Sequence, residues 1–200
     1  PAGDFDAFNG ATSMGCIPPA NTYTSIALMS NDVFALYLVE DPYNVEQTGF
    51  EYLDSAANQD FDIHGDSIVK IHQTMMGDYF RTYHLASGDF HLVYDGQVSL
   101  PESPRFVTNH YPNSYVASDE TGNTISVSVI DPTNPAVVNT KITGVDCAAI
   151  EALSNDLVSV SKNMGMSLFD VLTDGTPLFV STTTACNHPV TGIVENNIGF

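Results

Sequence analysis

Five of the six histidines, His64, His72, His84, His91 and His110, fall in the middle third of the chain beside Asp62, Asp66, Asp78 and Asp89. Imidazole nitrogens and carboxylate oxygens gathered at one point would bind a divalent transition metal, or move protons for a reaction. Their spacings match no metal motif, and G-x-S-x-G, H-E-x-x-H, Walker and G-x-G-x-x-G signatures are absent. They are therefore read as strand and turn histidines, with no catalytic residue, no metal ligand and no cofactor assigned. A metal-dependent enzyme centred on residues 64–110 remains an alternative. Asp4-Phe5-Asp6-Ala7-Phe8-Asn9-Gly10 has part of a calcium loop, but the third ligand comes one residue late and no distal glutamate follows. A solvated turn is expected there, with calcium as the alternative.

Other side chains suit binding. Tyr79, Phe80, Tyr83, Phe90 and Tyr94 stand at strand spacing and are either core or the lining of a sugar-binding face. Thr182, Thr183 and Thr184 are candidate acceptors for O-linked glycans, and the chain has no Asn-x-Ser/Thr sequon. Cys16, Cys147 and Cys186 form no C-x-x-C pair, which argues against zinc or thioredoxin-like chemistry. Three pairings are open to them. Cys147 and Cys186 are the favoured disulfide candidate, because each precedes a repeat by a similar distance, and buried thiols are the alternative.

The bulk chemistry narrows the partners. There are 24 acidic residues against 5 basic ones, a formal net charge of −19, so nucleic acid and anionic membrane surfaces, which are bound through Lys and Arg, are poor partners and neither is expected. Only 14% of residues are charged, and the polar surface must come from Ser, Thr and Asn. That balance suits a secreted protein at an extracellular or cell-surface location. No apolar run is long enough to span a bilayer as a helix.

The elements that would position these side chains are strands. Residues 115–118 and 124–130 alternate β-branched or aromatic with small polar residues, the period-2 pattern of a strand with one covered face. Asp131-Pro132-Thr133-Asn134-Pro135 ends the second run, because proline fixes φ and removes an amide donor. The outline returns over residues 155–180, with Pro135 and Pro177 in equivalent places, and Ser-Asn-Asp precedes an apolar run at both Asp32 and Asp156. Turn markers at Asp32, Asp66, Asn113, Asp156 and Asn197 lie 34, 47, 43 and 41 residues apart. A repeat of about 40–45 residues with four strands is the pattern of propeller blades. Asp95-Gly96, between alternating runs, reads as a type I′ hairpin turn.

Tyr115-Val116-Ala117, followed by Ile130-Asp131-Pro132-Thr133-Asn134-Pro135 and Val137-Val138, resembles the LVIVD-type repeat of extracellular β-propellers. The likeness covers about residues 105–183, with Thr-Asp-Gly-Thr-Pro replacing the proline turn in its second half. It implies fold and location, and no catalytic residues.

The expected architecture is all-β and propeller-like, about four blades of antiparallel strands over residues 22–200, with residues 1–21 as an extended N-terminal arm. A β-sandwich of pilin type is the alternative. The first repeat reads as one strand short, while the C-terminal stretch has strands to spare. That mismatch suggests a self-assembling structural subunit whose partners are copies of itself, as a filament or closed assembly, joined by exchange of a terminal segment. Phe5, Phe8, Ile17, Ile193, Val194, Ile198 and Phe200 are the candidate assembly residues. A secreted binding module for carbohydrate or protein is the alternative function.

Overall fold

The computed structural model describes residues 13–17, 24–29, 33–41, 44–52, 60–64, 67–86, 92–101, 104–118, 123–142, 147, 149–154, 157–162 and 165–183. These residues are all-β, in four antiparallel sheets of four strands. Sheet I contains β1 (Ser13–Ile17), β2 (Thr24–Met29), β3 (Val33–Asp41) and β4 (Asn44–Tyr52). Sheet II contains β5 (Phe61–His64), β6 (Ser67–Thr74), β7 (Gly77–Leu85) and β8 (Leu92–Ser99). Sheet III contains β9 (Phe106–Thr108), β10 (Asn113–Ala117), β11 (Asn123–Ser128) and β12 (Ala136–Ile142). Sheet IV contains β13 (Ala149–Ser154), β14 (Leu157–Lys162), β15 (Gly165–Val171) and β16 (Pro177–Thr183). Strand order within each sheet follows chain order.

The repeat expected from the sequence is present, with its phase corrected. Second strands begin at residues 24, 67, 113 and 157, in steps of 43, 46 and 44. In the sequence Asp66 and Asp156 fall between first and second strands and Asn113 opens a second strand, whereas Asp32 falls between a second and a third, which explains the short first interval of 34. The missing strand of the first repeat is β1. It lies inside the stretch expected as an arm, and its residues Ser13 to Ile17 pair antiparallel with Met29 to Ser25. Its Gly and Cys hide the alternation, and backbone pairing to an apolar neighbour overrides the weak local pattern.

Asp95-Gly96 is not a hairpin turn. Both residues lie within β8, which pairs with β7 from Tyr79↔Ser99 to Leu85↔Leu92. The register passes from Thr82↔Gly96 to Tyr83↔Tyr94, so Asp95 is the extra residue of a β-bulge. Glycine is required there by close approach. A Cβ on Gly96 would stand 2.6 Å from Thr133 O and 2.8 Å from Pro132 O.

The same bulge occurs in every sheet. Third and fourth strands change register after Leu36↔Gly49, Thr82↔Gly96, Ser126↔Asn139 and Leu168↔Ser181. The extra residues are Thr48, Asp95, Val138 and Val180, in steps of 47, 43 and 42. A bulge increases local twist, so each outer strand bends at the same level.

By contacts the chain forms two units, Pro1–Pro101 with Pro132–Asn134, and Glu102–Asp131 with Pro135–Phe200. In the first, β6 carries the continuous run Ile68-Val69-Lys70-Ile71-His72, buried on both faces. Phe61, Ile68 and Tyr83 form a cluster flanked by Ile63, Leu85 and Leu92, while Phe80 is fully buried on the opposite face. Each such side chain contributes about 1.5–3 kcal/mol of burial. In the second unit, Tyr115 and Ala117 of sheet III meet Cys147 and the sheet IV residues Ile150 and Phe169. Val116, Ile125 and Val127 fill the other face of sheet III. The Tyr111–Pro112 peptide bond before β10 is cis.

Candidate functional site

Among the described residues of the first unit, the histidines do not gather at one point. His64, Ser67 and His84 form one cross-strand row on sheet II, and alternation along β6 puts His72 on the opposite face, buried. His84 Nδ1 donates to Asp95 Oδ1 at 2.7 Å, with the imidazole about half exposed. His110 belongs to the second unit, where its Nδ1–H donates to its neighbour's carbonyl, Tyr111 O, at 2.9 Å. Among the described residues no three His, Cys, Asp or Glu side chains are grouped to hold a metal. Asp66, Asp89 and His91 lie outside the described residues, as does the calcium-like stretch Asp4 to Gly10.

The aromatic set also divides. Phe80 and Tyr83 are core residues on opposite faces of β7. Tyr94 is half exposed, meets Tyr83 edge-on with centroids 5.6 Å apart, and has the Arg81 guanidinium 6.0 Å from its ring centre. Gln97 Oε1 fixes that guanidinium by accepting from Arg81 Nε at 3.1 Å. Tyr79 is half-buried, and Phe90 lies outside the described residues.

Cys147 is buried in the second unit's cluster, its Sγ donating to Ala149 O at 3.4 Å. Cys186 lies outside the described residues, as do Phe5, Phe8, Ile193, Val194, Ile198 and Phe200. Ile17 is described as the last residue of β1, paired with Ser25.

The level of the bulges carries a recurrent polar arrangement that the sequence reading missed. In the first unit Thr82, the last β7 residue paired before the β8 bulge, has its hydroxyl 2.5 Å from Pro132 O and 3.1 Å from Gly96 O. In the second unit Ser126, the last β11 residue paired before the β12 bulge, donates to Gly175 O at 2.7 Å. Its cross-strand partner Asn139 donates to Thr176 Oγ1 at 2.5 Å. In both cases the acceptor is on a turn joining a third strand to a fourth, so a hydroxyl and its cross-strand neighbour make a seat for that turn.

The seated turn of the second unit is held internally. Gly175 has φ +81°, in the left-handed region that favours glycine, and Gly175 N donates to Leu172 O at 2.8 Å. Thr176 N donates to Asp174 Oδ1 at 2.9 Å, and this bond holds the Asp174 carboxyl below its ordinary pKa.

On sheet IV the corresponding pair is Leu168 and Ser181, and among the described residues no turn is hydrogen-bonded at this level. Gly96 is buried and Asn139 half-buried, whereas Ser181 is exposed. Every residue of β16 after Pro177 is exposed. Leu178 and Val180 are 49% and 53% exposed, and Phe179, also about half exposed, meets Phe169 edge-on with centroids 5.9 Å apart. The available signal was positional: Leu178-Phe179-Val180 reads as an ordinary strand until it is aligned with β8 and β12.

No protein-family model matches the chain, and no curated protein matches it.

Proposed function

We propose that the chain is a structural subunit that assembles with copies of itself outside the cell, and that its four sheets are the blades of a propeller-like array. The observation carrying this reading is β16, the outer strand of sheet IV among the described residues, whose apolar Leu178, Phe179 and Val180 stand exposed. Exposed apolar side chains on an outer strand favour contact with another chain where no charge guards them, and residues 177–183 contain no charged residue. The equal spacing of the four sheets supports the blade reading, as does the LVIVD-type resemblance over residues 105–183. The low charged fraction and the Ser/Thr-rich exposed strand support an extracellular setting, with Thr182 and Thr183 as accessible glycan acceptors.

Sedimentation and electron microscopy across a concentration series test the proposal. Concentration-dependent oligomers or fibres are expected, and monodisperse monomer at high micromolar concentration refutes it. A second reading, a binding module for carbohydrate, rests on the exposed Tyr94 ring backed by Tyr83 and Arg81. Glycan-array binding that disappears in Tyr94→Ala would favour it over assembly.

A further inference from the structure

The hairpin that joins β6 to β7 ends in two methionines, and the shape of the turn does not require them. Met75 and Met76 lie between the paired residues Thr74 and Gly77, and both side chains are fully exposed, at 105% and 92%. Two-residue hairpin turns are ordinarily built from Asn, Asp and Gly, which accept the backbone angles or bond to the backbone through short polar side chains. Methionine does neither. A long apolar side chain held in water also gives up the burial that would stabilise the fold.

The turn is held by its neighbours instead. Thr74 Oγ1 donates to Gly77 O at 3.0 Å and accepts from Met76 N at 3.1 Å. Gly77 has φ +148°, a backbone conformation that glycine adopts freely and other residues rarely do. The Tyr79 ring packs over it, so that a Cβ on Gly77 would stand 3.5 Å from Tyr79 Oη. Further down the hairpin Ile71 and Phe80 are cross-strand partners, and both are fully buried. The two thioethers thus stand at the end of a fixed hairpin whose geometry does not depend on them. Both sulfurs can change chemically without the loss of a bond that holds the turn.

We propose that the Met75–Met76 turn is a site of reversible oxidation by hydroperoxides. A sulfur lone pair attacks the terminal oxygen of the hydroperoxide, and the O–O bond breaks as the S–O bond forms. The displaced alkoxide or hydroxide takes the proton from that oxygen and leaves as alcohol or water. Methionine is oxidised by two electrons to its sulfoxide, and the peroxide is reduced by two. A reductase dithiol reverses the step, its two thiols becoming a disulfide while the oxygen leaves as water. Exposure decides which sulfurs react, and a hairpin tip is open to a small oxidant and to the larger reductase alike. Met166, half-buried in β15, is the comparison within the same chain. The modification turns an apolar tip polar and leaves the strands beneath it paired. The site does not depend on self-assembly.

The test uses the full chain. Folded protein is treated with dilute hydrogen peroxide, and its peptides are mapped by mass spectrometry over time. Met75 and Met76 should each gain one oxygen several-fold faster than Met166, and the difference should collapse in urea, where all three are exposed. Met75→Leu/Met76→Leu should keep the fold and lose the fast phase. After treatment the melting temperature of the wild type should fall no further than that of the equally treated variant, within about 2 °C. Methionine sulfoxide reductases for the two epimers, supplied with a dithiol, should then return Met75 and Met76 to their original mass in the folded protein. Rates at Met75 and Met76 no faster than at Met166, or a difference that persists in urea, overturn the proposal. A larger fall in melting temperature than the variant shows, or sulfoxides that the reductases leave in place, also overturns it. If the leucine variant misfolds by circular dichroism, the wild-type peptide map and its reversal decide alone.

Discussion

Replacing Gly96 with alanine measures how closely the two backbones meet at the bulge of sheet II. Gly96 has an extended strand conformation, so the need for glycine is one of space and not of φ. The new methyl carbon would stand 2.6 Å from Thr133 O, 2.8 Å from Pro132 O and 2.8 Å from Thr133 C, where ordinary contact begins at 3.4 Å. All three neighbours are backbone atoms, and none can rotate away. Overpacking of this kind costs about 1–3 kcal/mol. Displacing the turn also breaks the bond from Thr82 to Pro132 O, worth about 0.5–1.5 kcal/mol. Against this, alanine restricts the unfolded chain and returns about 0.4–1 kcal/mol. The net expectation is a loss of about 2–3 kcal/mol. Urea unfolding followed by far-ultraviolet circular dichroism reads this as a lower midpoint at unchanged slope. Thr82→Val should cost less, and the double variant less than the sum, because G96A has already broken the bond that T82V removes. A G96A protein as stable as wild type, or a strictly additive double variant, would refute the close approach.

Two further outcomes follow from titrating groups. Burial pushes the Tyr115 hydroxyl from 10.0 up to about 12, so above pH ~10 the unfolded chain releases a proton that the folded chain retains. Stability attributable to this group is constant below pH ~10 and falls by up to about 3 kcal/mol by pH ~12, and Tyr115→Phe should flatten that alkaline limb in urea titrations; parallel limbs would contradict the burial argument. Asp174 is held below its ordinary range by the Thr176 amide, so its stabilising contribution is present above the ordinary carboxylate pKa and lost as pH falls through the depressed one. Asp174→Ala should lower the melting temperature at neutral pH and narrow its gap to wild type in acid; a gap that does not close with pH would count against the cap.

The strand content and repeat length were legible because they rest on local chemistry. Alternation at residues 124–128 and the proline turn at residues 131–135 are dictated by side-chain burial and by the ring of Pro132, and both stand where expected. Phase was harder. Ser-Asn-Asp at Asp32 imitates the turn at Asp156 but joins a different pair of strands, and only backbone pairing distinguishes them. Asp-Gly at residues 95–96 has two physical uses, a left-handed turn and a close backbone approach, and the local sequence is identical for both. The exposure of β16 was illegible for another reason. Whether Leu178 and Val180 are core or surface depends on what lies across the sheet, and no local pattern reports that.

Among the described residues every sheet is a meander in which each strand pairs with its neighbours in the chain, and the four strands of sheet I lie between Ser13 and Tyr52. Time enters through this topology. A hairpin closes in about 1–10 μs, whereas a ribosome adds about 5–20 residues each second. The backbone partners of sheet I are thus all present seconds before those of sheet II have been made. Strands finding their partners in order of synthesis have few competitors at each step, which protects a chain made of four similar sheets from pairing a strand of one with a strand of another.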